Sequence, residues 1–503
     1  MLSVIVFAPL AVAAVLLLVP RTAPRPVFLG SWIAVSVLDL ALIVVVWVGL
    51  DPGPSGFGFT QQVPWIPSVG ISYHVGVDGL SLPLVALTAV LFGACAVFAL
   101  RETRRVKPYV TLFLGLQTVC LGLFVALDLI LFFVFFDLSI VGMYFLIAGW
   151  GHGERARAAA LKFFLYTFLG SLSLLLGFIG LFLAAAPHTF DIPTLIRVNP
   201  LAGGGLYAAL VLLAIGVGLA VKTPTVPFHT WLPPAHTEAP ATGSAILAGV
   251  LLKMGTYGFV RIAMPMLPGV WRQYAGAIVI IGVVSVVYGA LVALAQTDVK
   301  RMIAYTSVNH MGYVVLGVGA AGILAGSDAQ ARELATTGAV TQMVSHGLIT
   351  GALFLLTGVL YDRGRTYDLR AYSGLAARTP VFAATFAVAA FASLGLPGFS
   401  GFIAEFQIFT GGLDAAPVPT AIAVTGILIT AGLFLLAVQR LFLGPLRIPD
   451  VPGTPRAFAD LRPSETAAVV PLLALATLIG VLPRFLLDVI EPASRVLVEL
   501  VAR

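Results

Sequence analysis

Apolar residues fall in long unbroken runs along this chain, each closed by a proline, a glycine or a cluster of charge. Runs near the roughly 20 residues that a bilayer core requires predict transmembrane helices. Seven such spans lie near 2–20, 27–50, 80–99, 108–127, 129–149, 161–185 and 205–222. Seven more lie near 240–264, 273–295, 302–320, 335–361, 379–411, 418–443 and 465–488, and the twelfth is too long for one plain helix. No run alternates over about ten residues as barrel strands do, so the pattern excludes a membrane β-barrel. The first run lacks a basic stretch ahead of it and is followed by many further spans, which reads as helix one rather than a cleaved signal. The longest gap, 50–79, is rich in Gly and Pro with almost no charge, and is predicted to be a loop on the outer face.

Composition agrees. Of 503 residues 59% are hydrophobic and 10% charged, against roughly 25% charged in soluble domains. A soluble enzyme, a nucleic-acid binder and a disordered scaffold are thereby excluded. The formal charge of +6 reflects topology, because the 28 Lys and Arg sit mostly in short loops. Nineteen gather in alternate loops: Arg21, Arg25, Arg101, Arg104, Arg105, Lys107, Arg155, Arg157, Lys162, Lys300, Arg301, Arg363, Arg365, Arg370, Arg378, Arg440, Arg447, Arg456 and Arg462. Seven fall on the other side: Arg197, Arg261, Arg272, Arg332, Arg484, Arg495 and Arg503. The positive-inside rule makes the first side cytoplasmic and puts both termini outside. Cys95 and Cys120 stand inside apolar runs without disulfide or metal spacing, as inert packing residues.

Charge inside a bilayer costs at least about 2.5–3.5 kcal/mol, so ionisable residues within spans point to function. Asp137 interrupts span five about 13 Å from its mouth at 1.5 Å per residue. Lys222 ends span seven and is followed by Thr223-Pro224, where proline breaks the helix. Lys253 lies in mid span eight. Glu405 follows the interruption Leu396 to Gly401 in span twelve, and His310 and His346 stand in spans ten and eleven. The competing reading is structural ion pairing, which weighs more for the two histidines. His229 and His236 flank Pro233-Pro234 and suit a structural or gating role better than metal ligation. A desolvated lysine loses proton affinity and a nearby carboxylate restores it, which is the lability a proton relay needs. Helix breaks in spans seven and twelve leave backbone groups at membrane depth, tolerated only within protein or beside a water-filled cavity. Spans four to eight and nine to thirteen each place the break in their fourth helix, the arrangement of two inverted five-helix repeats. The expected organisation is 1–107, three N-terminal helices; 108–264 and 265–443, the two repeats; and 444–503, helix fourteen and a tail.

Four stretches then carry a resemblance: Val77-Asp78-Gly79-Leu80-Ser81-Leu82-Pro83, Lys222 through Pro233, Ala235 through Pro240, and Asp298 through Ser307. From about Val77 to Phe442 the chain resembles the antiporter-like subunits of respiratory complex I. The resemblance implies a fourteen-helix all-α fold in the membrane arm of an NADH-quinone oxidoreductase of the bacterial inner (plasma) membrane. Quinone reduction, FMN and the Fe–S clusters would belong to other subunits, with L-type and N-type antiporter-like chains as neighbours, membrane lipid around them and protons as cargo. It also implies roles: Asp137 the span-five carboxylate paired with Lys222, Lys253 the connecting lysine, Glu405 the exit-side residue, and His310 and His346 members of a central polar axis. Glutamate at 405, where L- and N-type members carry lysine, and the absence of a long lateral helix resemble the M-type. Asp137 departs from the glutamate usual in the family, which makes direct pairing with Lys222 doubtful. Other functions compatible with these residues are a subunit of a multi-component sodium/proton antiporter, a membrane subunit of an energy-conserving hydrogenase, and a non-transporting scaffold.

Overall fold

A computed structural model describes residues 1–53, 56–450 and 458–502; Arg456 and Arg503, counted in the charge partition, lie outside them. The helices are α1 (Leu2–Leu18), α2 (Arg25–Val48), α3 (Leu82–Phe98), α4 (Val106–Val125), α5 (Leu129–Trp150) and α6 (Ala156–Ala184). Next come α7 (Ile192–Val198), α8 (Gly205–Lys222), α9 (Leu232–Glu238), α10 (Ala241–Met266), α11 (Pro268–Leu294) and α12 (Val299–Ala320). The last are α13 (Ala329–Gly364), α14 (Pro380–Ser393), α15 (Ser400–Ala415), α16 (Pro417–Phe442), α17 (Pro463–Val481) and α18 (Arg484–Ala502).

Every expected span is met. Among the described residues, eleven helices are long and apolar enough to cross a bilayer. The other three spans are α1, slightly short at 17 residues, α12, which carries Lys300, Arg301, Asn309 and His310, and the broken pair α14 and α15. The α13 helix is the axis of the bundle. Its 36 residues extend about 54 Å at 1.5 Å per residue, and it packs on α3, α10, α12, α14, α15, α17 and α18. Its membrane window is wholly buried, which is why it tolerates Thr341, Gln342, Ser345 and His346 in succession: these face protein rather than lipid.

Three expectations are corrected. The gap 50–79 is not all loop: Gly58–Ile66 (β1) and Ile71–Val77 (β2) form an antiparallel hairpin. Its signal, Phe59 to Ile66 and Ile71 to Val77 around Pro67-Ser68-Val69-Gly70, is a β-rich stretch with a turn that Gly and Pro content obscured. Span fourteen ends at Val481 rather than near 488, and the tail is a further amphipathic helix, α18, whose Leu486, Ile490, Leu497 and Val501 are buried. Lys300 and Arg261, assigned to loops by the charge count, are buried, at 0% and 5% exposure. Asp298 caps α12 by accepting from Arg301 N, so Lys300 enters the first helical turn and points inward. Arg261 is drawn in by Asp78, an ion pair in the bend where α18 meets the Val77–Pro83 turn. Gly79 makes that meeting possible, since a Cβ there would lie 1.9 Å from the Val489 carbonyl oxygen.

The same clasp occurs twice. Asp128 caps α5 and bridges to Asp191, which caps α7. Leu129 N donates to Phe190 O and Ile192 N to Leu127 O, both at 2.9 Å. Asp298 caps α12 and bridges to Asp368, which caps the turn Leu369–Ala371. Here Val299 N donates to Tyr367 O at 2.9 Å and Leu369 N to Thr297 O at 2.8 Å. The two capped helices are spans five and ten, an odd number of crossings apart, so the clasps face opposite sides of the membrane as an inverted repeat requires. Only the first clasp is joined by the hairpin: Ser72 N donates to Asp128 at 3.0 Å, and the His74 ring meets Asp191 at 2.6 Å. Burial pushes the Asp191 carboxyl up, but hydrogen bonds with the His74 ring and Thr194 outweigh it and hold it below the ordinary aspartate range.

Candidate functional site

The break after α8 sets the first part of the site. Lys222 is the last residue of α8, where the unpaired carbonyls and negative end of the helix dipole favour an ammonium. The Thr223-Pro224 sequence stops the helix there, and Trp231 Nε1 ties the far side of the break back by donating to Val221 O at 2.9 Å. Buried at 1% exposure, Lys222 donates from Nζ to Ser139 Oγ at 2.8 Å and lies 4.6 Å from the Phe136 ring centroid. Asp137, on the same helix as Ser139, is within electrostatic reach of Lys222 but is set towards Ser171 of α6. One of its carboxylate oxygens, Oδ1, is buried without a partner. Asp137 and Lys222 are thus neighbours and not a contact pair; the shorter aspartate side chain leaves Ser139 as the ammonium's acceptor.

The second part is a contact series, hydrogen-bonded except between His346 and His310, where His346 Nε2 is buried without a partner. Two π-helical turns, Leu247–Leu251 and Phe259–Ala263, flank the segment of α10 that carries Lys253. Such turns loosen the backbone ladder and concentrate at functional sites. Here the freed Ala248 carbonyl accepts from Lys253 Nζ. Lys253 Nζ also lies 2.6 Å from His346 Nδ1. An ammonium and an imidazolium offer each other only donors, so at this distance at least one of the two is neutral. The His346 and His310 rings are 5.4 Å apart. His310 Nδ1 lies 3.2 Å from Gln342 Nε2 and 3.5 Å from Glu405 Oε1, and its Nε2 lies 3.3 Å from Ser393 Oγ. Gln342 Nε2 donates in turn to Glu405 Oε1 at 3.4 Å. His310, Gln342, Ser345, His346, Ser393 and Glu405 border a cavity of about 10 Å³, room for about one water.

Six residues singled out from the sequence therefore divide into two groups. Lys253, His346, His310 and Glu405 are brought together, while Asp137 and Lys222 form a separate cluster. Between them, Thr223 Oγ1 is buried without a partner where Gly255 of α10 packs so closely that a Cβ would lie 2.4 Å from it. Sequence reasoning missed Ser139, Gln342 and Ser393, whose types give no signal without the fold. It also missed Lys300, whose Nζ donates to Ala239 O and to the Tyr367 hydroxyl at 3.3 Å. The Asp298 cap was the available signal, since it places Lys300 inside the helix. His236 stacks on Phe354 with both ring nitrogens unpartnered, and His229 packs against Tyr288. Among the described residues no group of His, Cys, Asp and Glu side chains is arranged to hold a metal.

Residues 126–430 match the family model described as NADH:quinone oxidoreductase/Mrp antiporter, TM. NADH-quinone oxidoreductase subunit M of Rhodobacter capsulatus is 40% identical, over 99% of this chain and 96% of that protein. The protein of the same name in Pseudomonas aeruginosa is 38% identical over 93% of this chain and 91% of its own. A chain of respiratory complex I from Thermus thermophilus with bound NADH superposes with a TM-score of 0.87 at 29% identity, covering 100% of both chains. A chain of the Mrp complex from Dietzia sp. shares the fold, with a TM-score of 0.86 at 23% identity.

Proposed function

The chain belongs to the NADH:quinone oxidoreductase/Mrp antiporter family of membrane subunits, and we propose that it is the M-type, proton-translocating membrane-arm subunit of a bacterial NADH-quinone oxidoreductase. The observation that carries this reading is the contact series Lys253, His346, His310, Glu405, buried across α10, α13, α12 and α15. Four ionisable groups in series are costly inside a bilayer, and such groups mark ion and proton pathways.

In this reading Asp137 and Lys222 load and release a proton as the charge between them changes. Lys253 accepts it across the Thr223 gap, and the histidines pass it to Glu405. The two repeats are 108–264 and 265–443, preceded by 1–107 and followed by 444–503; the duplicated Asp128–Asp191 and Asp298–Asp368 clasps support that division. Redox chemistry, with FMN, Fe–S clusters and quinone, belongs to other subunits, and L-type and N-type chains are the neighbours. The arginine-rich face is cytoplasmic and both termini lie outside, supported by the charge bias, which keeps its sign when buried Lys300 and Arg261 are set aside.

The test is proton pumping by the intact oxidoreductase in proteoliposomes with NADH and quinone, for Lys222→Ala and Glu405→Gln, with electron-transfer rate and native-gel assembly measured alongside. Assembly is expected to persist while pumping and coupled turnover collapse. Persistence of both would make the charges structural and overturn the reading.

A further inference from the structure

A groove of about 880 Å³ opens between α1, α4 and α5, away from the buried charges. Its walls are apolar, and Leu17, Leu138 and Phe145 stand in it exposed. Along α5 it runs from Phe135 to Trp150, about 23 Å at 1.5 Å per residue. That is shorter than a full hydrocarbon core of about 30 Å. A transmembrane helix of a neighbouring subunit would need the full thickness; an acyl chain needs less.

The mouth of the groove is basic. Arg105 and Arg157 border it, and none of the residues lining it is acidic. Among the described residues neither arginine has a carboxylate within ion-pair distance. Arg105 is held with its guanidinium 5.0 Å from the Trp150 ring, and Trp150 Nε1 is itself anchored on Arg104 O at 3.0 Å. The nearby Lys107, by contrast, is already committed to the Leu17 and Val19 carbonyls at the end of α1. Two guanidiniums without a carboxylate partner, above an apolar slot shorter than a full bilayer core, fit a diacyl lipid with an anionic phosphate headgroup.

We propose that this groove is a binding site for an anionic phospholipid of the arginine-side leaflet, its phosphate on Arg105 and Arg157 and its acyl chain between α1, α4 and α5. The site depends on the chain spanning a membrane and not on the proton path. Gly115 supplies a way to test it without disturbing the bundle, because it lines the groove and a Cβ there meets no atom within 4 Å.

The experiment exchanges the intact, detergent-solubilised complex into dioleoyl phosphatidylglycerol or dioleoyl phosphatidylcholine and counts lipid retained per complex by native mass spectrometry. Wild type is expected to keep one more phosphatidylglycerol than Arg105→Gln/Arg157→Gln, with retention affinity lower by on the order of 30-fold in the double variant, given the typical worth of two basic residues at a membrane surface. Gly115→Phe is expected to lose the same lipid with both arginines present, and phosphatidylcholine retention to be equal in all three. Equal phosphatidylglycerol retention in all three overturns the proposal. So does a crosslink from Leu138→Cys to a neighbouring subunit in native membranes, which would put a protein segment in the groove. Pumping is a separate readout, so failure here leaves the proton reading untouched.

Discussion

At the α5–α8 end of the buried charge, Lys222 gives its hydrogen bond to an uncharged partner, Ser139, at 2.8 Å while Asp137 turns towards Ser171. At the α10–α15 end, Lys253 meets His346 at 2.6 Å, and His310 and Gln342 meet Glu405 at 3.5 and 3.4 Å. Lys222 and the series are buried, Asp137 is half-buried, and both ends lie beside a helix irregularity, yet one is a separated pair and the other a preassembled series. The difference suits two tasks. A pair whose charges do not touch can change its coupling through small movements of α5 against the α8 break, because Coulomb energy in a low-dielectric site is steep in distance. A series in contact needs only its one unbonded link, His346 to His310, bridged for a proton to pass, and offers less to regulate. In the proposed path the first end is the switch and the second the wire.

The sharpest way to break that contrast is Lys253→Met. The substitution removes the buried amine without stranding a charge, since His346 can remain neutral, so the fold is expected to persist. Pumping by the intact oxidoreductase is expected to fall on the order of 100-fold, the scale of a lost acid–base group, with assembly intact on a native gel. Retained pumping would show that the series is not the wire.

A second test addresses the switch. Asp137→Ala leaves the Lys222 ammonium with only a serine and a ring face, and pumping is expected to drop about tenfold, the worth of roughly 1.4 kcal/mol of lost coupling. Asp137→Glu adds one methylene towards Lys222 and is expected to pump close to wild type. An alanine variant that pumps like the glutamate variant would make the carboxylate dispensable and dissolve the distinction between the two ends.

The parts of this site differ in how legible they are from the sequence. Spans are legible because lipid demands about 20 apolar residues whatever the neighbours do, and a charge such as Lys253 stands out against that background. The breaks at Thr223-Pro224 and from Leu396 to Gly401 are legible too, because proline and glycine act locally. What stays hidden depends on three-dimensional neighbours. Gln342 and Ser139 become functional candidates only when α13 meets α15 and α5 meets α8. Lys300 was misplaced because a loop count treats every charge near a span end as solvated, whereas the Ala239 carbonyl and Tyr367 hydroxyl draw it inward. The hairpin escaped because nothing in an apolar-run analysis distinguishes a short paired ribbon from a loop. Separation of Asp137 from Lys222, by contrast, was foreshadowed by one missing methylene.

The smallest expected effect concerns how the wire ends. Gly395 has φ of +76°, and a Cβ on it would lie 2.6 Å from Glu405 Oε2. An alanine there is strained twice, by about 1–2 kcal/mol for the left-handed backbone and by the contact with the carboxylate. Glu405 is a flexible side chain, so it gives way, and the shift disturbs the contacts that Oε1 makes with His310 and Gln342. Gly395→Ala is therefore expected to lower pumping about fivefold, the equivalent of about 1 kcal/mol, while electron transfer with uncoupler stays near wild type. The carboxylate remains present in this variant, unlike in Glu405→Gln, so the result separates the position of the acid from its presence. If Gly395→Ala pumps normally although Glu405→Gln does not, the last step passes through the small cavity beside Glu405 and tolerates its displacement. Contact along the whole series would then be a convenience of packing rather than the requirement that distinguishes it from the Asp137–Lys222 end.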